Sequence, residues 1–125
     1  YISSRPELYI PDHFRSKPEG SIKQGSAGVH PRNNYWKGVY TDQCTRAIEQ
    51  YLLMIEDGVC PEQARFILPQ GVLVNWIWTG NLLSFANAYN KRTDSHAQKE
   101  IQDLFLQLDP IMEKLFPVSW AALTK

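Results

Sequence analysis

The sequence predicts an α+β architecture: the mainly helical C-terminal portion of a domain whose antiparallel sheet is completed by an N-terminal part outside this chain. Three observations point there. Apolar residues recur at spacings of three and four through much of residues 42–116, which marks amphipathic helices. One segment, residues 72–78 (VLVNWIW), is short, β-branched and aromatic between Gly71 and Gly80, which favours a strand. One strand cannot be a sheet, so its partners are expected in a missing part or in another chain. The chain also starts at Tyr1 rather than Met, on an extended, proline-punctuated stretch, and is expected to be the downstream part of a longer protein.

The elements follow in order. Residues 1–11 are expected to be extended, because Pro6 and Pro11 push Arg5 and Ile10 out of the helical region. Residues 12–34 are rich in Gly, Ser, Pro and Lys, a composition that predicts a long exposed loop. A helix is predicted from Asp42 to Asp57, with Thr41 as N-cap and Gly58 as the stop. Its buried face should carry Cys44, Ile48, Tyr51, Leu52 and Ile55. Pro61 opens a short helical turn, where its missing N–H costs nothing, and Arg65 falls near the end of that turn. After the strand, a helix should run from Asn81 to Lys91. Leu82, Phe85, Ala86 and Tyr89 form its apolar face, with Asn81, Ser84 and Asn87 as a polar stripe beside it. Ser95-x-x-Gln98 is a capping-box pattern for the next helix. Pro110 should interrupt that helix, and Pro117 should end it before a last short helical piece. Trp76 and Trp78 are expected in the core.

A chain of 125 residues makes one domain or part of one, and its 43% hydrophobic share can supply a core. Thirteen basic residues cancel thirteen acidic ones, so the basic excess of a free nucleic-acid binder is absent. A small phosphorylated ligand needs only one or two arginines. Cys44 and Cys60 read as two reduced cytoplasmic thiols, and His13, His30 and His96 are too scattered for a metal cluster. There is neither an apolar leader nor an apolar run long enough to span a bilayer.

Chemistry concentrates between Pro61 and Ile101. Arg65, Asn81, Asn87, Arg92, Asp94, His96 and Gln98 are interleaved there with apolar segments, an arrangement common at ligand sites. Two arginines suit an anionic, planar ligand, because guanidinium is a fixed fork of donors that keeps its charge.

These residues resemble the flavin-dependent thymidylate synthases. The matching pattern is Ala64-Arg65-x-x-Leu68-Pro69, Trp78-Thr79-x-Asn81, Asn87, and Arg92-x-Asp94-x-His96-Ala97-Gln98-x-Glu100-Ile101, with no insertion needed. Leu8-Tyr9-Ile10-Pro11 and Lys23-Gln24-Gly25-Ser26 are similar to upstream segments of the family. The family signature Arg-His-Arg-x-x-Ser-x-Asn-Glu-x-Ser-x-Arg-Tyr is not in the sequence; Tyr1 falls where its last Tyr would be.

The resemblance implies conversion of dUMP to dTMP with FAD, NADPH and methylenetetrahydrofolate, in a cytoplasmic homotetramer with sites between subunits. It implies no nucleic-acid or membrane partner. It makes Arg92 the catalytic, uracil-facing arginine and gives Arg65 and Arg92 to dUMP. It gives Asn81, Leu83 and Asn87 to the flavin. Leu83 is a departure: some relatives carry an arginine there, and leucine packs on a ring but cannot grip a phosphate.

Blander roles stand beside these. Arg92 at a helix end complements the dipole, Arg65 could pair with Glu62, Asn81 could serve only as N-cap, and His96 could simply occupy a first helical turn. The alternative function is a non-catalytic nucleotide-binding or assembly subunit that keeps the fold without the signature.

Overall fold

The computed structural model describes residues 5–20 and 25–125. Tyr1 and the Lys23-Gln24 pair of the family-like segment lie outside the described residues. The chain forms two compact units, one from Tyr1–Arg15 and Val29–Trp76, the other from Ser16–Gly28 and Ile77–Lys125.

The first unit is built on α1 (Asn33–Glu56), a short α2 (Pro61–Ala64) and a 3-10 turn over Arg65–Ile67. Helix α1 begins nine residues before the expected Asp42. The expected loop of residues 12–34 overlaps the first turn of α1 at Asn33 and Asn34, and tertiary contacts outweigh propensity there. Asn33 Oδ1 accepts the Phe14 N–H at 2.6 Å, and the Arg32 guanidinium stacks over Tyr35 at 4.2 Å. Thr41 is therefore an interior residue, and its hydroxyl donates back to the Lys37 carbonyl at 2.8 Å. The far end is as expected. Gly58 adopts a positive φ of 85°, and the N–H groups of Gly58 and Val59 close on the Ile55 and Met54 carbonyls, a Schellman ending that a side chain at Gly58 would strain. Cys44, Ile48 and Tyr51 are buried on α1, and Ala64 joins them from α2, which matches the predicted face.

The expected strand at 72–78 is not formed. Among the described residues there is no strand; Val72 makes one antiparallel bridge to Leu8, flanked by Tyr9 N–H to the Gly71 carbonyl at 2.9 Å and Leu73 N–H to the Glu7 carbonyl at 2.8 Å. The pairing segment is hemmed in by Pro6 and Pro11, which lack the N–H groups a longer ladder needs. The described residues are thus mostly helical, and Trp76 is 63% exposed rather than in the core.

The second unit packs α3 (Leu82–Arg92), α4 (Lys99–Leu106), α5 (Leu108–Leu115) and α6 (Pro117–Thr124). Ala86, Met112 and Trp120 form its buried centre, lined by Leu82, Phe85, Tyr89 and Leu108. Trp120 is fully buried, so its indole N–H needs a partner and donates to Asp109 Oδ1 at 2.8 Å. Trp78, expected in the core, is half-buried at its margin, packed on Phe85 with ring centroids 4.1 Å apart. The break between α4 and α5 at Gln107 follows from Pro110, which has no N–H for the Leu106 carbonyl four residues back. The Ser95 capping box does not form: Gln98 holds the N-cap of α4, without a side-chain cap bond.

Candidate functional site

Arg65 is placed by local sequence. Pro61 starts α2, Ala64 is wholly buried and anchors the turn, and the Leu68 N–H closes on the Arg65 carbonyl at 3.0 Å. The exposed Arg65 side chain then edges a pocket of about 510 Å³, walled by Tyr51, Phe66, Pro69, Val72 and Val74. Glu62 and Gln70 add polar groups to the lining. The ion pairs among the described residues do not include one between Glu62 and Arg65. A fixed cation beside apolar walls favours a ligand that is flat on one side and anionic on another. The sequence pointed to Arg65 but not to Tyr51, which reads as core from its helical spacing and is both buried and pocket-lining. Phe66 and the Pro69–Val74 wall were also missed; their apolar character and position beside Arg65 were the available signal.

In the second unit, α3 carries the other four candidates. Asn81 is the N-cap, and its Oδ1 accepts the Ser84 N–H at 2.8 Å and the Ser84 hydroxyl at 2.9 Å. This leaves its amide N–H groups as donors. Leu83, Asn87 and Arg92 are exposed. At 100° and 1.5 Å per residue, Arg92 lies about 20° from Asn81 in azimuth and about 16 Å along the axis, whereas Asn87, at the far side of the polar stripe, is about 120° from Asn81 and about 40° from Leu83. The helix therefore offers a cation and a carboxamide on one flank, and a carboxamide with an apolar side chain on the other. Arg92 takes part in none of the ion pairs among the described residues. Arg65 belongs to the first unit and these four residues to the second.

Beyond α3, His96 precedes α4 instead of sitting in its first turn. Its N–H and its ring Nδ1 both meet Asp94 Oδ1, at 2.8 and 2.9 Å. The backbone bond first, then the ring bond, hold the Asp94 carboxyl below its ordinary range. Both side chains are exposed. Cys44 and Cys60 are free thiols, and burial pushes the Cys44 thiol up. Among the described residues no group of three or more metal-ligating side chains forms, and no helix is long and apolar enough to cross a membrane.

The family model described as thymidylate synthase complementing protein matches residues 1–118. A flavin-dependent thymidylate synthase of Thermosipho africanus is 32% identical over 129 residues, covering 100% of this chain and 55% of the relative. One of Kosmotoga olearia is 33% identical over 124 residues, covering 98% and 54%. One of Thermotoga neapolitana is 36% identical over 77 residues, covering 62% and 36%. The chain spans about half the length of the first two curated relatives. On the match of residues 1–118, the chain belongs to the thymidylate synthase complementing protein family.

Proposed function

We propose that this chain supplies the C-terminal portion of a flavin-dependent thymidylate synthase domain, converting dUMP to dTMP with methylenetetrahydrofolate as one-carbon donor. Family membership and the names of the relatives support the chemistry. The observation that carries the residue assignment is the layout of α3, where an exposed arginine outside any described ion pair stands at one end and a carboxamide with free donors at the other.

FAD, when bound and reduced by NADPH, would supply the hydride. The residues present fit a flavin. Asn81 donates through its amide, Asn87 donates and accepts, and Leu83 offers an apolar surface to a ring. Arg92 holds the uracil and, as a fixed charge, favours its N3-ionised form where water is excluded. Arg65 binds dUMP from its apolar-walled pocket. The 72–78 segment, exposed from Leu73 to Ile77, belongs, in this reading, to an antiparallel sheet completed by another part of the domain. The active form is a homotetramer, placed in the cytoplasm in keeping with the free thiols.

Arg92→Ala tests the reading. Losing a preorganised charge at a developing anion costs about 3 kcal/mol, a rate loss of about a hundredfold. Turnover should fall by that factor while flavin absorbance stays with the protein. Near-normal dTMP formation would overturn the role.

A further inference from the structure

Tyr40 stands on α1, outside every motif that marked the site. One wall of the Arg65 pocket runs through Pro69, Val72 and Val74, and little regular structure holds it. Among the described residues it is tied to the N-terminal segment by the two backbone hydrogen bonds of the Leu8–Val72 bridge, Tyr9 to Gly71 and Leu73 to Glu7. Tyr40 closes the far side of this ladder. Its hydroxyl donates to the Tyr9 carbonyl at 2.7 Å, so the Tyr9 peptide is held at its N–H by Gly71 and at its carbonyl by Tyr40. The phenol edge packs on Phe14 with centroids 5.6 Å apart, which fixes where the hydroxyl stands.

Gly71 is fitted to that hydroxyl. A Cβ built there would overlap the Tyr40 oxygen and lie 3.1 Å from its Cζ. Burial pushes the Tyr40 phenol up, which keeps the proton it donates. Tyr51, three turns further along the same side of α1, lines the pocket directly.

We propose that Tyr40 is a positioning residue for the nucleotide pocket at Arg65, acting through Gly71 on the Pro69–Val74 wall. The proposal rests on the assignment of that pocket to dUMP. Helix α1 then shapes the pocket at two points: Tyr51 by contact, and Tyr40 by fixing the backbone of the wall without lining it.

The test is dUMP titration by calorimetry on the flavin-loaded protein, beside steady-state dTMP formation. Tyr40→Phe keeps the ring and removes one hydrogen bond, so dUMP Kd and KM should rise about three- to tenfold. Flavin retention and kcat should stay near wild type, a split that a general loss of packing would not produce. Gly71→Ala should weaken dUMP binding further, and adding Tyr40→Phe should restore part of it, because the overlapping oxygen is gone. In an Arg65→Ala background Tyr40→Phe should have no further effect, since coupled residues are non-additive. If Arg65→Ala weakens dUMP binding but Tyr40→Phe does not, the positioning role is wrong and the pocket assignment stands. Loss on Gly71→Ala without rescue also overturns it, and does so even if Tyr40→Phe alone fails to fold. If Arg65→Ala leaves dUMP binding unchanged, both readings fall.

Discussion

Arg65 and Arg92 share a side-chain type but differ in setting. Arg65 edges an apolar pocket on a short turn behind a proline-started helix. Arg92 stands exposed at the last turn of a helix, where the dipole also favours a cation. The difference predicts different losses. Arg65→Lys keeps charge but loses the planar fork, so the dUMP requirement should rise while flavin stays bound, as read from dUMP-dependent rates and flavin absorbance. Release of flavin with unchanged dUMP affinity would contradict it. The Asp94–His96 pair predicts a pH effect. A carboxyl held below its ordinary 3.8 in the folded chain stabilises above that value, and the contribution disappears as pH falls through the lowered pKa. Carbon-detected titration of Asp94 should give a midpoint below 3.8, and Asp94→Asn should speed hydrogen exchange at the His96 amide. A midpoint at or above the ordinary value would remove the pairing.

Among the elements, α3 opens on a residue that caps it and, in the proposed reading, also meets the flavin. The Asn81 Oδ1 caps the helix and its amide N–H groups remain to donate. Asn81→Ala should therefore cost about 1 kcal/mol of stability and weaken flavin binding as well. Asn81→Asp keeps the capping oxygen and loses the amide donors, so the melting temperature should hold while flavin binding drops. If both variants lose stability equally, the cap is misassigned. Helix α6 is held to α5 through Trp120 and Asp109 and to α3 through the Leu123 carbonyl, which accepts from Asn90 at 3.0 Å. Trp120→Ala should cost the second unit about 3–5 kcal/mol, measured by denaturant unfolding, and a change under 1 kcal/mol would mean the site collapses around the loss.

At the scale of the whole molecule, unmet apolar surface stands out. Val74 is 66% and Ile77 95% exposed, in a stretch with strong β character and no strand pairing beyond Val72 among the described residues. Such segments template association. The 125-residue chain by itself should self-associate on sedimentation, and a Val74→Glu, Ile77→Glu double variant should shift it toward monomer. A monodisperse monomer would contradict this.

Sequence alone determined much of the helical layout. Apolar spacing named Cys44, Ile48 and Tyr51 as the buried face of α1, and Ala86 as that of α3. Gly58, Pro61, Pro110 and Pro117 set ends and breaks through local backbone chemistry, and Asn81 was legible as a cap for the same reason. The motif pattern singled out Arg65 and the α3 residues as candidates because chemistry-bearing side chains stand at fixed intervals. Tertiary structure decided what depends on distant partners. Phe14 and Asn33 extend α1 back across a loop-like composition, Leu8 rather than a full strand meets Val72, and Tyr40 finds Gly71 and Tyr9 across some thirty residues. Local periodicity reports which face of an element is apolar, but not which distant backbone group will satisfy it, because that pairing is set by packing between segments far apart in the chain.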